Sequence, residues 1–119
     1  MRTKQISIAN GMYWIAYSEG VKIAMREQYG VDCDDKDSFA TAMKDAGKRL
    51  GLVHNCIVYG TKWAKLTGMP NVMEPPTLED FSALVDQFDL VAVFPDLEEV
   101  IAGERTVVAK PSKKSKAGA

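Results

Sequence analysis

Apolar and polar residues alternate at the start of the chain, where residues 5–9 and 12–17 flank the dipeptide Asn10-Gly11. Asn-Gly tolerates the positive φ angles of a type I′ turn, so the pattern predicts a β-hairpin closed by a two-residue loop. That loop sets Ala9 opposite Met12, Ile8 opposite Tyr13, Ser7 opposite Trp14 and Ile6 opposite Ile15. One face then carries Ile6, Ile8, Tyr13, Ile15 and Tyr17 and packs on the core, because side chains alternate between the two faces of a strand. The other face holds Ser7, Ala9, Met12, Trp14 and Ala16. On it the large ring of Trp14 lies either under a second layer or on a contact surface.

From Ser18 onward the period changes from two to about three and a half, the mark of amphipathic helices. Ser18 is placed to cap a first helix over residues 19–29, with Val21, Ala24, Met25 and Gln28 on one stripe and Gly30 as its stop. Asp35 or Asp37 caps a second, with Phe39, Met43, Ala46 and Leu50 on one side and Gly51 at its exit. A third runs from residue 52 to about residue 67 through Val53, Cys56, Ile57, Gly60, Trp63 and Ala64, and Gly68 and Pro70 end it. After a loop over residues 71–76, Thr77-Leu78-Glu79-Asp80 has the form of a capping box. It opens a fourth helix with the stripe Leu78, Phe81, Leu84, Val85 and Phe88. Residues 90–94 are an unbroken apolar run that periodicity leaves open between strand and helix; Pro95-Asp96 then starts a helix over residues 97–102 that Gly103 closes. The expected fold is α+β and mainly α: an N-terminal β-hairpin packed on about four to five short helices.

At 119 residues, 46% hydrophobic and 26% charged, the chain matches a single globular domain. Residues 1–109 are expected to form it, and residues 110–119, built only of Lys, Pro, Ser, Gly and Ala, to form a disordered basic tail. No apolar run approaches a membrane span and no apolar stretch follows the polar N-terminus, so a cytoplasmic location is expected. Charge is distributed unevenly. Residues 66–104 carry nine acids and no Lys, Arg or His, whereas residues 105–119 carry five bases and no acid. The overall charge of −1 thus divides into eleven bases against sixteen acids in residues 1–109, or −5, and +4 from Lys110, Lys113, Lys114 and Lys116. An acidic body repels nucleic acid and anionic membrane, and the four tail lysines lack the aromatics that stack bases. The acidic segment is suited to meet another protein. Met12 and Trp14 on the outer face of the hairpin, with Glu98 and Glu99 in the base-free segment, are the candidate contact residues.

Candidate chemistry is sparse. His54 is the only histidine, and Cys56 two residues away points to another helix face, so they form no nucleophile pair. Asp32, Asp34, Asp35 and Asp37 suggest calcium, but EF-hand spacing needs an oxygen ligand at Lys36, glycine at Asp37 and glutamate at Met43. Gly47-Lys48 lacks the first glycine of a P-loop at Ala42 and its Ser or Thr at Arg49. Cys33 and Cys56 have no metal-ligand spacing and read as free thiols. Neither catalysis nor a metal or cofactor is expected.

The stretch Ile6-Ser-Ile-Ala-Asn-Gly-Met-Tyr-Trp-Ile-Ala-Tyr-Ser-Glu-Gly20 resembles the opening of bacteriophage and prophage tail assembly chaperones, where a short hairpin feeds a helix. Thr77-Leu-Glu-Asp-Phe-Ser-Ala-Leu-Val-Asp86 is similar to their later helix, and the resemblance covers roughly residues 5–103. The two tryptophans and the length of the third helix depart from it. The resemblance implies a non-enzymatic protein of the bacterial cytoplasm that coats the tape-measure protein during tail assembly and is displaced as tail-tube subunits polymerise. It leaves self-association open. It also implies a longer frameshifted product, for which Lys113-Lys114 would mark an A-rich slippery run. The alternative from a different class is a small helical DNA-associated or regulatory protein that uses the basic tail.

Overall fold

The structure, a computed structural model, describes residues 1–109, with side chains described to residue 103. It is α+β and mainly α, a two-stranded antiparallel hairpin followed by five helices. Strands β1 (Thr3–Ile8) and β2 (Gly11–Ala16) pair with Ile6 opposite Tyr13, Ser7 opposite Met12 and Ile8 opposite Gly11. The turn is therefore Ala9-Asn10, with φ of 52° and 62°, and not Asn10-Gly11. The expected register is displaced by two residues, which keeps every side chain on its face because the strand repeat is two. Ile6, Ile8, Tyr13, Ile15 and Tyr17 are all buried, as the alternation predicts. Gly11 serves the hairpin as space: a Cβ there would lie 2.6–2.8 Å from the phenol of Tyr13, whose ring folds back across it. Ala16, expected on the outer face, is fully buried.

Helix α1 (Glu19–Tyr29) has the predicted bounds and buries Val21, Ala24 and Met25. Gln28 is exposed, although its Oε1 accepts from the buried Asn55 amide (3.1 Å). Gly30, at φ 68°, donates to Arg26 O (2.9 Å), and Val31 donates to Met25 O (3.3 Å), which closes the helix with a left-handed residue. The Ser18 hydroxyl makes no cap hydrogen bond, so the expected cap is absent; its carbonyl accepts from Val21 N instead.

The largest departure is in the middle of the chain. Asp35 caps α2 (Lys36–Ala42), accepting from the N–H groups of Asp37 and Ser38, but the helix ends at Met43 and not at Gly51. Asp45 then caps a new helix by accepting from Lys48 N (3.0 Å), and α3 (Ala46–Leu66) runs unbroken through Gly51 and Gly60. Both glycines are packing positions. A Cβ on Gly51 would enter the Tyr29 ring, and one on Gly60 would meet the β2 backbone, 2.5 Å from Trp14 C and 2.7 Å from Ile15 Cα. Helix α3 thus lies directly on β2, with α1 against its side. Its buried Val53, Cys56, Ile57 and Ala64 match the predicted stripe, and Trp63 is half-buried.

Thr77 caps α4 (Leu78–Leu84) through Asp80 N (3.2 Å), as the capping box predicts. That helix breaks at Val85, so its expected stripe divides: Phe81 is fully buried, while Leu78, Leu84 and Phe88 are exposed. Residues 90–94 are helical, inside α5 (Gln87–Ala109), which continues through Pro95 and past Gly103. Asp86 and Asp89 make the start: Asp89 N donates to Asp86 Oδ1 (2.9 Å) and Asp86 N to Asp89 Oδ2 (3.0 Å), each side chain satisfying an orphan N–H. Gly103 is buried against Arg2. One buried cluster joins all seven elements, with α3 along β2 and α5 along β1. The tail expected at residues 110–119 lies outside the described residues.

Candidate functional site

The break between α2 and α3 and the corner between α4 and α5 leave an apolar groove on one side of the molecule. Its main hollow, about 520 Å³, is walled by the first turns of α3 (Ala46, Leu50), the corner (Val85, Asp86) and α5 (Leu90, Val91, Phe94). A second hollow of about 250 Å³ lies between α2 (Phe39, Met43) and α5 (Phe94, Glu98, Ile101). Arg49 and Phe94 line both, so the two form one depression along α5. The Arg49 guanidinium is held in place there: its Nη1 donates to Met43 O at 2.8 Å, satisfying a carbonyl that the end of α2 leaves open.

Helix α5 explains why the groove stays open. It sends Leu90, Val93, Leu97, Val100 and Ile101 into the core, yet Phe88 is 82% and Val91 60% exposed. A helix apolar on both sides has more hydrophobic surface than one core can cover. The unbroken run at residues 90–94 is the sequence sign of this excess.

Of the residues expected to meet a partner, Glu98 lines the second hollow and makes no ion pair among the described residues. Glu99 is turned the other way, toward the hairpin, as the 100° step between consecutive helical residues requires. Lys4 Nζ bridges Asp96 Oδ1 (2.6 Å) and Glu99 Oε1 (3.0 Å), and Arg2 Nη1 lies 3.8 Å from Glu99 Oε2. Hydrogen bonds to Asp96 and then Glu99 raise the Lys4 pKa above its ordinary value. Part of the acidic segment therefore fastens α5 to β1. Met12, half exposed, and Trp14 remain on the hairpin, where Trp14 is tilted 57° against Trp63 with centroids 5.4 Å apart. Neither lines the groove. Lys110, Lys113, Lys114 and Lys116 fall outside the described residues. The groove residues Leu50, Val85, Val91 and Phe94 were not expected from sequence, because the walls come from three elements whose approach no local pattern encodes.

His54, the two cysteines and the acidic loop are held in structural roles. His54 Nε2 lies 2.8 Å from Pro76 O and its ring is 5.5 Å from Phe81, so it fastens the loop before α4 to α3. Burial pushes the Cys56 thiol far up, and burial is also the main cause that raises Cys33, against a hydrogen bond from Tyr17. Thiols so held are not nucleophiles at neutral pH. In the acidic loop, Asp32 Oδ1 accepts from Asp34 N, Asp35 caps α2, and Asp34 pairs with Lys22 at 3.1 Å. Among the described residues no helix is long and apolar enough to cross a membrane. Comparison with protein-family models, curated proteins and solved structures finds no match to this chain.

Proposed function

We propose that this protein is a non-catalytic holding protein of the bacterial cytoplasm, acting as the phage tail assembly chaperones do. Its client in this reading is the tape-measure protein, which it keeps soluble until tail-tube subunits replace it. The observation that carries the reading is the open apolar groove along α5, whose wall residue Val91 is 60% exposed, with Phe88 82% exposed on the same helix. Covering side chains of this size stabilises a complex by roughly 1.5–3 kcal/mol each before the costs of association are subtracted. A contact of that order holds a client and still releases it when a stronger partner arrives. The hairpin feeding a helix, followed by a capped later helix, has the element order that the resemblance implies. Co-expression of this protein with a tape-measure protein from the same genome tests the reading. The soluble fraction of the tape-measure protein is expected to rise relative to co-expression with an unrelated acidic helical protein of similar size. An unchanged soluble fraction overturns it.

A further inference from the structure

We propose that the α5 groove takes an amphipathic helical segment of a partner protein whose apolar stripe is flanked by lysines or arginines. The inference rests on the holding reading above and adds to it the chemistry of the client. The apolar part of the match follows from the walls: Leu50, Leu90, Val91 and Phe94 offer hydrophobic surface in an elongated depression beside a helix, a shape that receives another helix through anchors at i, i+3, i+4 and i+7. The basic part follows from the rim. Asp86 and Glu98 line the groove, and Asp89 follows Asp86 in the cap of α5. The one cation in the lining, Arg49, donates to the neutral Met43 carbonyl and keeps its charge, so it offsets one of these acids and the rim as a whole stays acidic. No base occurs between residues 66 and 104, so the corner and the groove-lining part of α5 add no second cation. A partner helix with basic borders completes such a rim, and one with acidic borders is repelled.

The same charges disfavour the other occupants. A second copy would set Asp86, Asp89 and Glu98 against their own kind, in a body that carries sixteen acids and eleven bases over residues 1–109. The lysine-rich residues 110–119 have the right charge but no apolar side chain larger than proline, so they cannot fill the hydrophobic walls.

Fluorescence anisotropy with three labelled synthetic helical peptides of about 18 residues, roughly 27 Å long, tests the assignment. The first has a leucine stripe with Lys and Arg borders, the second the same stripe with Glu borders, and the third the basic borders with alanine in place of leucine. The first is expected to bind at least about tenfold more tightly than either of the others, with the margin over the second shrinking at high salt. Phe88→Ser combined with Val91→Ser is expected to weaken the first peptide about tenfold, a change in exposed residues whose effect on folding is checked by melting. Equal binding of the alanine peptide would reduce the contact to plain charge attraction, and equal binding of the acidic peptide would remove the rim from the argument; either overturns the proposal. So does no binding, or a dimer in sedimentation that the double variant dissociates, or a protein ending at residue 109 that alone binds the first peptide because the tail had filled the groove. Failure here is separable from failure of the holding reading. If the double variant still solubilises the tape-measure protein as the unaltered chain does, the groove assignment falls and the holding function stands.

Discussion

At Gly60 the backbone of α3 comes close against the backbone of β2 at Trp14 and Ile15, and Gly60→Ala measures that approach. In an exposed helix interior, alanine in place of glycine stabilises by about 0.8–1 kcal/mol. Here the added Cβ would stand 2.5 Å from Trp14 C and 2.7 Å from Ile15 Cα. Carbon atoms settle at about 3.5–4.0 Å, so α3 must withdraw from the strand by about 1 Å. No rotamer change relieves a clash with main chain, which puts the cost at the upper end of overpacking, about 3 kcal/mol. After the helix-propensity gain, the net destabilisation is about 2 kcal/mol. For a domain of this size that lowers Tm by roughly 8 °C. The control is Gly47→Ala in the first turn of α3, where the nearest atom to a Cβ is Asp45 Oδ1 at 3.3 Å and the substitution is expected to be neutral or mildly stabilising. Thermal melting by circular dichroism, with urea titration for the free energies, reads both. If Gly60→Ala melts with or above the unaltered protein, α3 does not rest on the β2 backbone and the packing described above is wrong.

Two further outcomes follow from the turn and from the thiol. Ala9 has φ of 52°, which costs an L-residue roughly 1–2 kcal/mol, so Ala9→Gly is expected to raise stability by about 0.5–1 kcal/mol in urea titration; a loss would place the turn at Asn10-Gly11. Burial raises the folded-state pKa of Cys56 well above its ordinary 9.0, so the folded chain keeps a proton that the unfolded chain loses. This contribution to stability is complete below pH 9 and declines above it by up to about 1.4 kcal/mol per pH unit. Urea midpoints from pH 8 to 10 are expected to fall for the unaltered protein and less steeply for Cys56→Ala; identical slopes would place the thiol in solvent.

What the chain determines locally is visible wherever one residue's own chemistry decides. The alternation at residues 5–17 places Ile6, Ile8, Tyr13 and Ile15 on the buried face even though the turn is displaced, because a two-residue shift preserves parity. Gly30 and Thr77 act as the predicted helix stop and start, since a left-handed stop and a hydroxyl cap depend only on neighbouring backbone. The uneven charge of the chain is likewise complete in the sequence. The packing of α3 is not. Gly51 reads as a helix exit and is instead the place where the Tyr29 ring crosses the helix, and Gly11 reads as a turn residue and is instead space for Tyr13. A glycine has the same sequence signature whether it supplies a positive φ or lets something approach, and only the neighbour brought by the fold distinguishes them. The groove follows the same rule. Phe88, Val91 and Phe94 all count as apolar in one dimension, but Phe94 borders the core while Phe88 and Val91 face outward. Only the arrangement of α2, α3 and α5 decides which of them a single core covers, and the surface left over is where a partner is expected to bind.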